Sequence, residues 1–168
     1  EYGGGRIFYF LQSGAHYNAD VPKGFIAATA DVGTGPWAKT VYKDTSPGST
    51  PYTIGSGWQN TNIIIAQNNN ASQYFPDVDY AAGIARRYTG GGYNDWYLLS
   101  LYELEQLWNN RVAASANLTG NVNYWSSSQV NASNAMSISS NFGGNTTSPK
   151  DASAISVRPI RSFSADKT

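Results

Sequence analysis

Short runs of β-branched and aromatic residues lie near both ends of the chain. Arg6 to Leu11 follows three glycines and predicts a strand, and Gly24 to Thr29 predicts a second one. Towards the other end, strands are predicted over residues 124–129, 135–142 and 155–163. The pattern therefore indicates β-structure at both ends of the chain.

The middle of the chain changes to helical spacing of apolar residues. Asn60-Thr61 predicts the cap of a helix that continues from Asn62 to Gln67. Asp77 predicts the start of a second helix, and Ser100 with Glu103 has the spacing of a capping box that starts a third. The apolar positions on one face of the last two helices are Val78, Ala81, Ala82, Ala85 and Tyr88, then Leu101, Leu104, Leu107 and Trp108.

A long segment, residues 31–58, is rich in Gly, Pro, Ser and Thr and contains scattered aromatic residues. We expect an ordered loop held by those aromatics rather than a linker. Helices between terminal strands predict an α+β fold in which the N- and C-terminal strands meet. No internal repeat divides the chain, so residues 1–168 are predicted to form a single domain.

The amino-acid composition of the chain favours a role in binding. Only 13% of residues are charged, and the chain has twelve Tyr and five Trp. Tyr, Asn, Ser and Gly are typical of binding surfaces, because Tyr gives contact area at low entropic cost and Asn and Ser hydrogen-bond adaptably. The same composition also fits an extracellular β-rich protein without a partner.

Charge and cysteine content exclude several classes of function. The net charge is zero, which argues against a general nucleic-acid-binding protein. The absence of cysteine excludes disulfides, thiolate zinc sites and a cysteine nucleophile. No apolar run approaches the roughly 20 residues of a membrane span. Because the chain opens on Glu1, we expect an excised or mature fragment with any export signal upstream.

Catalysis is not predicted. His16 stands in a polar loop without a nucleophile motif, and Glu103 and Glu105 point to different faces of one helix. Asp77 and Asp79 lack the ligand spacing of a calcium loop and fit helix N-terminal acids. The sequence therefore predicts no catalytic residue, no metal ligand and no cofactor.

A binding face is predicted in the C-terminal third of the chain. Residues 129–156 are rich in Asn, Ser, Thr and Gly and lack apolar periodicity, so we expect surface loops and a sheet edge there. Tyr124 to Ser128 and Val157 to Phe163 are predicted to be scaffold, with Trp125 in the core and the serines satisfying a turn.

Basic side chains are the candidates for binding an anionic ligand, because Arg binds oxyanions bidentately and Lys acts as a point charge. Arg158 has an alternative role, as the partner of a core carboxylate such as Asp95. The predicted ligand contacts are Lys39, Lys43, Arg86, Arg87, Asn131, Lys150, Arg158 and Arg161.

Six sequence blocks follow one another in an order that resembles a known family. They are Tyr2-Gly3-Gly4-Gly5-Arg6-Ile7-Phe8-Tyr9, Gly24 to Thr29, Gly55 to Asn62, Gly92-Tyr93-Asn94-Asp95-Trp96-Tyr97-Leu98, Tyr124 to Ser128, and Val157-Arg158-Pro159-Ile160-Arg161. This series resembles the bacterial DUF1566 domain, also called the Lcl C-terminal domain family. The chain departs from the family pattern at Leu99, Gln129-Val130 and Met136.

The resemblance implies a C-type-lectin-like fold, namely a small twisted antiparallel sheet with flanking helices and long loops. It also implies the head of a bacterial surface adhesin. In the Legionella collagen-like adhesins, this domain is displayed extracellularly as a homotrimer and binds sulfated glycosaminoglycans in host attachment and biofilm formation. Other relatives are variable proteins of diversity-generating retroelements, which implies an alternative: a receptor that recognises a protein or a neutral glycan.

Overall fold

The computed structural model describes residues 1–12, 23–69 and 79–165, and in these ranges the fold is α+β, as predicted. Three helices stand beside two antiparallel sheets of three strands each. The helices are α1 (Gly57–Asn68), α2 (Ala81–Arg87) and α3 (Leu101–Asn110). The strands are β1 (Arg6–Phe10), β2 (Lys23–Ala27), β3 (Asn123–Gln129), β4 (Asn134–Ser139), β5 (Asn145–Pro149) and β6 (Ile160–Ser164).

The first sheet joins the two ends of the chain. Strand β2 lies in the centre and pairs antiparallel with both β1 and β6. Gly24 of β2 is required by close packing, because a Cβ there would lie 1.9 Å from the Tyr9 carbonyl oxygen. The predicted meeting of N- and C-terminal strands is confirmed, through the β2–β6 pair.

The second sheet is an antiparallel meander of β3, β4 and β5. The register of β3 shifts between Trp125 and Gln129, across the three buried serines. Their hydroxyls donate to the carbonyls of Met136 (2.8 Å), Leu99 (3.1 Å) and Pro51 (3.0 Å). The serines therefore tie β3 to its neighbours from inside the strand, and the predicted turn is wrong.

One core lies between helix α3 and both sheets. The capping box of Ser100 and Glu103 is present and α3 begins there, as predicted. The buried face of α3 packs with side chains from each sheet. These core residues include Phe8, Phe25, Leu101, Leu104, Leu107, Tyr124, Ile138 and Ile160.

A second core is built under the long loop, and two tryptophans hold that loop in place. The Trp37 indole N–H donates to the Ser126 carbonyl, and the Trp125 indole N–H donates to the Gly35 carbonyl, each at 2.8 Å. Both rings are buried with Ile64 of α1 and the alanines of α2. The predictions of an aromatic-pinned loop and of a core Trp125 are confirmed.

Several element boundaries differ from the predictions. Helix α1 begins at Gly57, and Asn60 and Thr61 are buried inside it rather than capping it. Helix α2 begins at Ala81, because Tyr80 is extended. The predicted helix start at Asp77 and the predicted loop around His16 lie outside the described residues.

The segment 129–156 contributes more to the interior than predicted. Ala135 and Ile138 of β4 are buried in the two cores, and strand β5 was not predicted. The last predicted strand is shorter than expected, because only Ile160–Ser164 pairs in the sheet. The prediction that residues 129–156 lack core positions is therefore wrong in part.

Candidate ligand-binding site

Lys150 is buried rather than exposed as a ligand contact. Its side chain is 0% exposed, and Nζ donates to Gln129 Oε1 at 3.0 Å and to the Thr45 carbonyl at 3.3 Å. The ammonium also lies 4.7 Å from the centroid of the Trp37 ring. Burial lowers the pKa of Lys150 to about 8. The prediction that it contacts a ligand is corrected, because the protein already surrounds its charge.

Arg158 is also interior. It is 1% exposed, its Nη2 lies 2.6 Å from Asp31 Oδ1, and its Nη1 donates to the Ala28 carbonyl at 3.1 Å. The predicted alternative of a core ion pair is confirmed, but the partner is Asp31 instead of Asp95. Arg158 is therefore removed from the set of ligand contacts.

Arg161 has the acidic partner that was suggested for Arg158. Its Nε and Nη2 donate to the two carboxylate oxygens of Asp95 at 2.7 and 2.9 Å, and Nη1 donates to the Gly3 carbonyl at 3.1 Å. The guanidinium carbon lies 3.6 Å from the centroid of the Tyr93 ring. This arginine has no free fork for an oxyanion, because Asp95 occupies it.

Lys43 and Asn131 lie on the surface, but their side chains already interact with nearby residues of the chain. Lys43 Nζ is 2.8 Å from Asp44 and 3.9 Å from Asp151. The hydrogen bond to Asp44 and the charges of both acids raise the pKa of Lys43. Asn131 Oδ1 accepts the backbone N–H groups of Ser133 and Asn134, which shapes the turn between β3 and β4.

Arg86 and Arg87 are adjacent in the last turn of α2 but differ in their partners. Arg87 is exposed and forms an ion pair with Asp79. Arg86 donates from Nε to the Trp96 carbonyl at 3.1 Å and from Nη2 to Asn62 Oδ1 at 2.8 Å. Its guanidinium carbon lies 4.1 Å from the centroid of the Trp58 ring, and burial lowers the pKa of Arg86.

Lys39 lies near the other end of α1. Its backbone N–H donates to Asn68 Oδ1 at 2.8 Å, and its Nζ is 5.6 Å from the centroid of the Tyr80 ring. The Tyr80 hydroxyl in turn donates to Asn69 Oδ1 at 2.9 Å. Within the described ranges, neither Lys39 nor Arg86 forms an ion pair with an acidic side chain.

The α1 residues connected to these two cations lie on one side of that helix. Trp58, Asn62 and Asn69 follow one another along α1 and its cap at intervals of four and seven residues, which puts them on the same side of the helix. Arg86 contacts the first two, and Lys39 is joined to Asn69 through Tyr80. We call this surface the α1–α2 face, defined by Lys39, Trp58, Asn62 and Arg86.

Two members of the α1–α2 face were not predicted as site residues. Trp58 was assigned to the long loop, and Asn62 only to a helix interior. Their contact with Arg86 spans 24 or more residues, and no local pattern announces such a contact. A similar stack joins Arg111 to Trp108, with the guanidinium 3.9 Å from the ring centroid, and the spacing of three residues on a helix could have indicated it.

A buried carboxylate lies beneath the start of α1. Glu103 Oε2 accepts the Ser100 N–H at 2.7 Å, and Oε1 accepts the Gly55 N–H at 2.8 Å. Burial raises the pKa of Glu103 to about 7, against the opposing effect of these hydrogen bonds. Glu103 and Glu105 do point to different surroundings, because Glu105 Oε1 instead accepts from Asn145. The arrangement anchors two helix starts.

The described part of the chain contains no group of three or more His, Cys, Asp or Glu side chains that could hold a metal ion. Asp79, one of the acids considered for calcium, is instead paired with Arg87. None of the described helices is long and apolar enough to cross a membrane. The sequence matches no protein-family model and no curated protein, so membership of the DUF1566 family stays a prediction.

Proposed function

We propose that this domain is the ligand-binding head of a bacterial surface adhesin with a C-type-lectin-like fold, and that it binds sulfated polysaccharides. The observation that carries the proposal is Arg86, a partly buried guanidinium on an indole ring with no acidic partner in the described ranges. Partial burial of a cation costs solvation free energy, and a bound anion offsets that cost.

The spacing of the residues connected to the two cations favours an extended ligand. Asn62, which accepts from Arg86, and Asn69, which accepts from the tyrosine beneath Lys39, are about 10 Å apart along the helix at 1.5 Å per residue. A polymer with repeated sulfate groups can extend along this length of α1 and contact both cations. Arg supplies planar hydrogen-bond donors and Lys a mobile point charge, and both suit sulfate.

The trimer implied by the resemblance would strengthen such binding. One α1–α2 face offers two cations without an ion pair in the described ranges, on a chain of zero net charge, so we expect weak affinity for a monomer. Three copies around one axis would present the face three times to the same polymer, and the second and third contacts would then be intramolecular.

Binding to heparin and to chemically desulfated heparin tests the proposal. We expect heparin binding that weakens steeply between about 50 and 500 mM salt, because screening shortens from roughly 14 to 4 Å. Desulfated heparin should bind far more weakly at low salt. Equal binding of both polymers, or heparin binding unchanged at high salt, would contradict the proposal.

The alternative is a variable receptor that recognises a protein or a neutral glycan. The observation in its favour is the turn between β4 and β5, where Phe142 is 72% exposed beside a strand of Asn, Thr and Ser. Such a ligand would bind independently of salt and through this hairpin. Loss of a salt-insensitive interaction in F142A, with R86A unaffected, would favour this alternative over the polyanion.

A further inference from the structure

We infer that Trp58, Asn62 and Arg86 form a subsite for one sugar unit that carries an oxyanion, either a sulfate or a carboxylate. The inference deepens the proposed function by naming what is recognised at one point of the polymer. It rests on the N–H groups of these three side chains that have no acceptor in the described ranges, and on the positive charge of Arg86 beside them.

The Arg86 guanidinium is held in place by two of its nitrogens. Nε donates to the Trp96 carbonyl and Nη2 to Asn62 Oδ1, while Nη1 has no acceptor in the described part of the chain. The planar group is therefore oriented, and the fork between Nη1 and Nη2 retains N–H groups for a ligand. Such a fork matches the two oxygens of a sulfate or carboxylate.

Asn62 and Trp58 add further donors beside this fork. Because Asn62 Oδ1 accepts from Arg86, its amide group is oriented and its Nδ2 has N–H groups without an acceptor among residues 1–12, 23–69 and 79–165. The Trp58 indole N–H likewise has no acceptor in those ranges. The three side chains thus offer N–H donors beside one positive charge, which favours an anion.

The indole distinguishes a sugar from a free ion. Trp58 is 41% exposed, so it presents apolar surface next to the cation. Its ring also contacts the Tyr97 ring edge-on, at 5.7 Å between centroids, which fixes its position. A sugar ring with an attached anion can use both the apolar surface and the donors. Inorganic sulfate can use only the donors.

Titration with N-acetylglucosamine 6-sulfate, N-acetylglucosamine and inorganic sulfate tests the subsite, read from the indole N–H resonances in ¹H–¹⁵N spectra. The resonance that is absent in W58F identifies Trp58. We expect the sulfated sugar to shift it and to bind at least about tenfold more tightly than either other ligand, as for one charged hydrogen-bonded contact. Equal binding of inorganic sulfate, or an unmoved Trp58 resonance, would overturn the subsite.

Arg86→Lys keeps the charge and removes the planar fork, so it should weaken binding of the sulfated sugar about tenfold. Arg87→Lys is the matched control and should leave the affinity unchanged. Thermal unfolding of both variants checks that the fold is intact, and unchanged affinity in R86K would overturn the assignment. If the protein binds heparin but the sulfated sugar does not shift the Trp58 resonance, the subsite alone is refuted. If the protein binds neither heparin nor the sulfated sugar, the proposed function is refuted as well.

Discussion

Lys150 is a buried charge with a structural role in a chain that has few charged residues. Its ammonium has a side-chain amide, a backbone carbonyl and an indole ring around it, and no ion pair with it is formed in the described ranges. Through Thr45 and Gln129 it joins the long loop to the end of β3. Breaking these contacts would leave the buried ammonium without acceptors, which is why both contacts stabilise the position of Lys150.

The depressed pKa of Lys150 predicts a pH effect on stability. The unfolded chain binds this proton more tightly than the folded one between about pH 8 and pH 10.5, so stability should rise with pH in that window. The slope is at most about 1.4 kcal/mol per pH unit. Denaturant unfolding should show that K150M loses this rise, whereas K39M, with Lys150 intact, retains it. An identical rise in K150M would contradict the assignment.

Neighbouring basic residues could not be distinguished from the sequence. Arg86 and Arg87 share one helix turn, yet one lies on an indole ring and the other pairs with Asp79. Arg158 and its partner Asp31 are 127 positions apart. A charged residue is normally expected on the surface, and only the folded arrangement shows which charges have been paired inside.

Secondary-structure elements were predictable where the signal is local. The capping box of α3 joins residues three apart, and the strands β1 and β2 carry β-branched and aromatic residues. The start of α1 was missed because its buried positions include polar Asn60 and Thr61. Strand β5 was missed because Asn145–Pro149 has no apolar alternation and is specified by pairing with β4.

Glu103 links two of these elements. It completes the capping box of α3 and also accepts an N–H from Gly55, just before α1. A Cβ on Gly57 would lie 2.2 Å from Glu103 Oε2, so the first residue of α1 packs directly on the carboxylate. Trp58, which contacts Arg86, follows Gly57 directly in the chain. Glu103 therefore helps to position this member of the α1–α2 face.

The raised pKa of Glu103 predicts the opposite pH effect from that of Lys150. The folded chain binds this proton more tightly than the unfolded one, so stability should fall as pH rises from about 4.5 to about 7. The steepest slope is about 1.4 kcal/mol per pH unit. Urea unfolding of E103Q should lack this fall, and E105Q should keep it. A fall that persists in E103Q would assign the effect to another group.

The molecule as a whole combines a neutral chain with an uneven distribution of its charges. Arg158 and Arg161 pair with the partly exposed carboxylates of Asp31 and Asp95, and Lys150 is buried. The coarse α+β class and the joined chain ends followed from the order of strand and helix patterns. The position of the proposed binding face did not, because it depends on long-range contacts such as that of Arg86 with Trp58.

Heparin affinity of two matched double variants decides whether Lys39 and Arg86 belong to the proposed binding face. K39A/R86A and K43A/R87A each remove two positive charges, so their net charges are equal, but only the first removes cations that have no acidic partner among the described residues. We predict that K39A/R86A loses at least about tenfold in affinity at low salt while K43A/R87A loses much less. Equal losses in the two variants, or a larger loss in K43A/R87A, would contradict the α1–α2 face as the site of binding.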